Sequence, residues 1–86
     1  GLRVIAGVGT LELAWDPVTD SDLKGYAIYR SVDGGEAVKV ESLRELPSYS
    51  DKAIEAGKRH SYSVVSIDLN GNESARSATV EAVAPR

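Results

Sequence analysis

The stretch from Ile54 to Asp68 constrains the fold more than any other part of the chain. Gly57 allows a sharp turn, and the residues after it alternate between two faces. One face carries His60, Tyr62, Val64 and Ser66, and the other carries Ser61, Ser63, Val65 and Ile67. A period of two is typical of a strand, and apolar groups on both faces indicate a central position in a sheet. The stretch therefore predicts a tight corner that leads into a long central strand.

The rest of the chain has shorter segments of the same kind, separated by turn residues. Asp16-Pro17, Asp33-Gly34-Gly35 and Asn70-Gly71 are typical of turns and hairpins. No segment carries a helical stripe. The predicted strands are 2–6, 10–15, 25–31, 37–41, 48–51 and 78–83, in addition to the central one. About seven short strands with polar connections predict an all-β fold, an antiparallel sandwich of two sheets.

Composition excludes several classes of protein. The chain has 86 residues, which is the size of one domain, and a formal net charge of −3 without a run of Lys or Arg. This charge pattern argues against nucleic acid and anionic membranes as partners, and no apolar stretch is long enough for membrane insertion. The lack of Cys excludes thiol chemistry and Cys-based zinc sites. Because the chain also lacks Met, we expect residues 1–86 to form a single domain of a longer multidomain protein.

The sequence offers little for catalysis or metal binding. Asp16, Asp20 and Asp22 cluster in one loop, but calcium needs six to eight oxygen ligands in a suitable loop, so capping of the loop is the favoured interpretation. The chain has a single His, no nucleophile elbow and no phosphate loop. Asn72-Glu73-Ser74 fits the glycosylation pattern, but so short a pattern often arises by chance, and a turn is the favoured interpretation. We therefore expect no catalytic residue, no metal site and no cofactor.

Four motifs that occur in a fixed order suggest a family. They are Leu11–Pro17, Gly25–Arg30, Ile54–Val64 and Asn70–Ser74. Together they resemble a fibronectin type III domain of the bacterial type, and the resemblance covers nearly the whole chain. It implies an immunoglobulin-like packing of a three-stranded sheet on a four-stranded one. Trp15 would then be the core tryptophan of the second strand, and Ile54 the apolar anchor of the corner.

The corner departs from the family pattern at one position. Six residues after the anchor the family has a tyrosine whose hydroxyl caps the corner, and this chain has His60 there. We expect an imidazole nitrogen of His60 to replace that hydroxyl, although a ligand or acid–base role is the alternative. Tyr62 is expected to point into the core, and the alternation of the third strand places Tyr26 with Ile28 on one face.

The opposite face of the larger sheet is the candidate interaction surface. Ala27, Tyr29, Val65 and Ile67 would form an apolar strip there, which is either an interface or ordinary scattered surface apolarity. The resemblance implies a noncatalytic spacer or interaction module of a bacterial surface or secreted protein, with the neighbouring domains as partners. The alternative is a protein- or glycan-binding module that uses this outer face.

Overall fold

The computed structural model describes residues 1–86 as seven strands without a helix. This confirms the predicted all-β class. Most predicted strands are present with shifted ends: the third extends further in both directions, and the last begins two residues later than predicted. The strands are β1 (Arg3–Ala6), β2 (Leu11–Ala14), β3 (Leu23–Val32), β4 (Val38–Arg44), β5 (Ser48–Asp51), β6 (Arg59–Asp68) and β7 (Val80–Val83).

The strands form two antiparallel sheets, as predicted. One sheet has the order β1-β2-β5, and the other has the order β4-β3-β6-β7. Within the larger sheet, β3 and β6 are the two longest strands and pair along nearly their full length. The alternating residues before Asp68 therefore form an inner strand, β6, which explains why both of its faces carry apolar side chains.

The main core lies between the sheets. The smaller sheet contributes Leu11 and Leu13, with Trp15 just beyond the end of β2, and the facing sheet contributes Tyr26. The rings of Trp15 and Tyr26 meet edge to face, with centroids 5.3 Å apart, which is a favoured aromatic geometry. The Tyr26 hydroxyl also accepts a hydrogen bond from the amide of Val18 at 2.8 Å, so it anchors the loop after β2. The other core members are Ile28, Tyr62, Val64 and Ala84.

His60 lies at the corner before β6 and is fully buried. Its Nε2 accepts a hydrogen bond from the amide of Glu55 at 3.1 Å, and its Nδ1 lies 3.0 Å from the carbonyl oxygen of Lys58. The ring is therefore assigned the tautomer that donates from Nδ1. Gly57 turns the chain at a φ of 78°, and Ile54 packs against the main core. The imidazole thus links the two sides of the corner from inside.

A buried carboxylate joins the two sheets. Asp51, at the end of β5, is 1% exposed and accepts four hydrogen bonds. Arg30 on β3 donates from Nη1 to both carboxylate oxygens at 2.9 and 3.0 Å, and the Tyr62 hydroxyl on β6 donates at 2.6 Å. The third donor is the amide of Ala53. We call Asp51, Arg30 and Tyr62 the Asp51 clamp.

The Asp51 clamp keeps the Tyr62 phenol protonated. Burial, followed by the hydrogen bond to Asp51, raises the pKa of Tyr62, so the phenol stays protonated and acts as a donor. A buried ion pair is costly to desolvate unless the remaining lone pairs are satisfied. The four hydrogen bonds that Asp51 accepts meet that condition.

Removing the charge of Asp51 should destabilise the domain strongly. Asp51→Asn leaves the Arg30 guanidinium without a counter-charge, and breaking a buried pair in this way costs about 3 kcal/mol or more. Tyr62→Phe removes one hydroxyl and should cost about 1 kcal/mol. Urea denaturation of both variants gives the comparison. Equal losses would show that Asp51 acts only through Tyr62.

Removing the polar atoms of His60 should open the corner. His60→Phe leaves the Glu55 amide and the Lys58 carbonyl without their side-chain partner, which should lower the free energy of unfolding by about 1–3 kcal/mol. His60→Gln keeps an acceptor and should lose less. A stability of the Phe variant equal to that of the wild type would argue against a corner role for the imidazole.

Candidate functional site

The predicted strip lies on the face of the larger sheet that points away from the main core. Ala27, Val65 and Ile67 form a second apolar cluster there, with Tyr29 packed against them. Three of the four side chains are buried, with exposures of 0% for Ala27, 2% for Val65 and 8% for Ile67. Tyr29 is half-buried. The alternation thus gives the correct face, but the strip is covered and is not an open apolar surface.

Charged side chains surround the ring of Tyr29. The guanidinium carbon of Arg76 lies 4.2 Å from the ring centroid, and Lys39 Nζ lies 5.5 Å from it. The Tyr29 hydroxyl donates to Glu73 Oε1 at 2.7 Å, and Lys39 donates to Glu73 Oε2 at 2.6 Å. We call these four residues the Tyr29 cluster. It joins β3, β4 and the connection from β6 to β7.

The Tyr29 cluster keeps its ionic groups charged. The hydrogen bond from Lys39, followed by that from Tyr29, lowers the pKa of Glu73. The same bond to Glu73 raises the pKa of Lys39. Cations over an aromatic ring gain a further attraction from its quadrupole. The ring of Tyr29 is therefore engaged within the domain.

The connection that supplies Glu73 and Arg76 pairs with β6 in an unusual way. The amides of Ser74 and Ser77 donate to the carbonyls of Ser66 and Val64, each at 2.9 Å. In return, the amides of Ser66 and Val64 donate to the hydroxyls of Ser74 and Ser77, also at 2.9 Å. Two hydroxyls thus complete a ladder that a regular strand would complete with carbonyls. This pairing accounts for the late start of β7.

A tight turn precedes this connection. The side chain of Asp68 accepts hydrogen bonds from the amides of Asn70 and Asn72 at 2.9 Å and from Asn72 Nδ2 at 3.2 Å. The bond from the Asn72 amide is the main cause that lowers the pKa of Asp68. Gly71 has a φ of 83°, which favours glycine. The turn at Asn70-Gly71 is thus present where it was predicted.

The other candidate residues are placed in structural roles. Asp20 Oδ1 accepts from the amide of Asp22 at 3.0 Å, which is a turn-capping contact. The structure brings no group of three or more His, Asp or Glu side chains into a metal-binding arrangement. Both ring nitrogens of His60 are engaged inside the corner, so the imidazole is not free for proton transfer. No helical segment with the length and apolarity of a membrane span occurs in the structure.

One apolar cleft opens between the sheets. It has a volume of about 230 Å³ and includes Trp15, Tyr26 and Val64 in its wall. The indole nitrogen of Trp15 is buried without a hydrogen-bond partner. That nitrogen is out of reach of solvent, and the polar side chains in the lining of the cleft are those of Asp16, Ser66, Ser74 and Ser77.

Sequence comparison finds relatives that are much longer than this chain. An amylopullulanase of Thermoanaerobacter thermohydrosulfuricus is 38% identical over 82 residues, which is 94% of this chain and 5% of that protein. An exo β-1,2-glucooligosaccharide sophorohydrolase of Parabacteroides distasonis is 38% identical over 73 residues, which is 84% of this chain and 10% of that protein. The chain therefore spans a tenth or less of the curated relatives it matches. No family model matches it.

Structural comparison identifies the fold. An Fn3-like protein from Clostridium thermocellum superposes with a TM-score of 0.83 at 24% identity, covering all of this chain and 90% of that one. A β-1,2-glucanase from Parabacteroides distasonis superposes with a TM-score of 0.84 at 34% identity, covering 99% of this chain and 12% of that one. Chicken CNTN1 FN1-FN3 domains give 0.85 at 16% identity, covering 99% of this chain and 30% of that one. The order of the strands, the two sheets and these superpositions agree, and the chain is a domain with the fibronectin type III fold.

Proposed function

We propose that residues 1–86 form a noncatalytic accessory module of a longer bacterial glycan-processing protein that works outside the cytoplasm. Its role is that of a rigid spacer between neighbouring domains. The similar segments in the amylopullulanase and the sophorohydrolase are small parts of long enzymes, which supports an accessory role. In this role the partners are the adjoining domains.

The positions of the two chain ends carry this proposal. Gly1 contacts Asp16, which lies beyond the Ala14 end of β2. Ala84 lies at the other end, where its amide donates to the carbonyl of Lys58 and its carbonyl accepts from the amide of Gly57. Because Leu11 pairs with Asp51 and Ala14 with Ser48, the corner after β5 lies at the opposite pole from Asp16. The two chain ends thus leave from opposite poles of a body whose longest dimension is 40 Å.

Rigidity follows from the contacts between the poles. The Asp51 clamp ties β5 of the smaller sheet to β3 and β6 of the larger one. Two backbone hydrogen bonds hold the C-terminal segment against the corner at Gly57 and Lys58. A force or displacement at one end therefore reaches the other through paired strands rather than through a flexible loop.

The alternative role, a glycan- or protein-binding module, has less support from the same contacts. Stacking on a sugar needs an exposed aromatic face, and Tyr29 is the aromatic residue of the outer face. Its hydroxyl is bonded to Glu73, and Arg76 lies over its ring. A ligand would have to displace these groups first. Trp15, the one tryptophan of the chain, is 7% exposed in the core.

The spacer role predicts a fixed distance between the chain ends. The chain has no Cys, so Gly1→Cys with Arg86→Cys gives two unique positions for spin labels. We expect a single narrow distance distribution close to the 40 Å length of the domain. Pulsed electron paramagnetic resonance measures the distance between the two labels directly.

The matched control places both labels at one pole. Gly1 and Val18 line the same cleft, so Gly1→Cys with Val18→Cys should give a much shorter distance. A broad distribution for the end-to-end pair, or one that overlaps the control, would contradict a rigid spacer.

The hydrogen bonds that Glu73 accepts from Tyr29 and Lys39 predict that the stability of the domain depends on pH. The pKa of Glu73 is lowered in the folded state, so its contribution to stability is present at neutral pH and is lost in acid. Glu73→Gln should therefore lower the melting temperature at neutral pH. The difference should shrink below about pH 4.3, the ordinary glutamate pKa, and vanish once the pH is below the lowered folded pKa.

Thermal unfolding between neutral and acidic pH tests this dependence. Glu36→Gln, at an exposed position outside the Tyr29 cluster, is the control for a general loss of charge. A constant gap between Glu73→Gln and the wild type at every pH would show that the bonds to Lys39 and Tyr29 do not stabilise the domain through the carboxylate.

A further inference from the structure

The turn between β6 and the connection to β7 concentrates one kind of reactive group. The chain contains no Gln and two Asn residues, and both of them lie in this turn at positions 70 and 72. Asn70 is followed by Gly71, and Asn72 is followed by Glu73. All the side-chain carboxamides of the molecule are therefore in one exposed turn.

We propose that Asn70 is a site of spontaneous deamidation, with Asp68 as the residue that restrains the reaction. In this reaction the backbone nitrogen of Gly71 attacks Cγ of Asn70 and forms a new C–N bond. The Asn70 side-chain nitrogen leaves as ammonia and takes up the proton from Gly71. Water then opens the resulting succinimide at either carbonyl, giving aspartate or isoaspartate. Water is the only co-reactant.

The two asparagines differ in how they are held. Asn72 donates from Nδ2 to Asp68 Oδ2 at 3.2 Å, whereas Asn70 is exposed and only its backbone amide is bonded. The residue after Asn70 has no side chain to shield its nitrogen, and the space where a Cβ would lie at Gly71 is open within 4 Å. Asn72 instead precedes the bulkier Glu73. These contacts favour reaction at Asn70.

Asp68 opposes the attack in the closed turn. The amide of Gly71 donates to the carbonyl of Asp68 at 2.9 Å, and this bond must break before the nitrogen can approach Cγ. The Asp68 side chain stabilises the same closed turn through the amides of Asn70 and Asn72. The reaction therefore proceeds through the opened turn, and its rate reports how often the turn opens.

An aspartate that is followed by glycine at another tight turn provides a contrast. Asp33 precedes Gly34, whose φ of 76° is similar to that of Gly71. Its Oδ1 is held by the amide of Arg59 at 3.0 Å, and a carboxylate is a poorer electrophile than an amide. Asn70 is therefore the favoured position for succinimide formation.

Isoaspartate at position 70 would change the outer face. It adds a methylene to the backbone between Asp68 and Glu73, which shifts Glu73 relative to β6. The backbone of Glu73 forms an isolated antiparallel β-bridge with that of Ile67, and its carboxylate accepts hydrogen bonds from Tyr29 and Lys39. The shift loosens these contacts and uncovers part of the buried strip.

The test is incubation of the native protein at mildly alkaline pH, followed by peptide mapping and enzymatic methylation of isoaspartate. Urea-denatured protein is the positive control, and Asn70→Ser is the negative one. We expect product at Asn70 in the native protein, more slowly than in the denatured chain. Asp68→Ala, checked for folding by circular dichroism, should react roughly tenfold faster than the wild type, which corresponds to losing a hydrogen bond's worth of turn stability.

The possible results separate the two parts of the inference. If the native chain stays intact while the denatured chain is converted, or if Asn72 reacts as fast as Asn70, the site assignment is overturned. If Asp68→Ala reacts at the rate of the wild type, the restraining role of Asp68 is overturned.

Discussion

The buried carboxylate of Asp51 is the contact on which the relation between the two sheets depends. Apolar packing between sheets is non-directional and by itself permits them to slide. Asp51 adds direction, because both of its oxygens accept from the same nitrogen of Arg30 and one accepts a short bond from the Tyr62 hydroxyl. These bonds fix β5 over β3 and β6. The same strand, β5, fixes β2 through its register, and β2 carries Leu11 and Leu13 into the main core.

The corner before β6 extends this order to the chain ends. His60 holds the Glu55 amide from inside, and the C-terminal segment closes over Gly57 and Lys58 from outside. An imidazole has two ring nitrogens in fixed directions, so it satisfies both a donor and an acceptor of the corner. One side chain therefore links Glu55 and Lys58 across the turn at Gly57.

The sequence predicts the features that depend on local periodicity and fails for those that depend on distant partners. The alternation around Tyr62 and Val65 predicts β6 and its two faces, and Trp15 is buried as expected. The burial of the outer strip was missed, because its cover includes Glu73, 44 positions from Tyr29. The Asp51 clamp has no local pattern either, since its members are 21 and 11 positions apart. Only the folded topology brings such residues together.

The segment from Asp68 to Ser77 joins the turn after β6 to the edge of β6 and to the outer face of the larger sheet. It closes a turn through the Asp68 carboxylate, completes the edge of β6 with the hydroxyls of Ser74 and Ser77, and places Glu73 and Arg76 beside Tyr29. Almost all of these contacts are polar and lie at the surface, where hydrogen bonds open more easily than in a core. The outer face is thus covered by polar and charged side chains, while the main core and the Asp51 clamp lie on the opposite face of the larger sheet. Loss of this cover would expose Val65 and Ile67 without separating the two sheets.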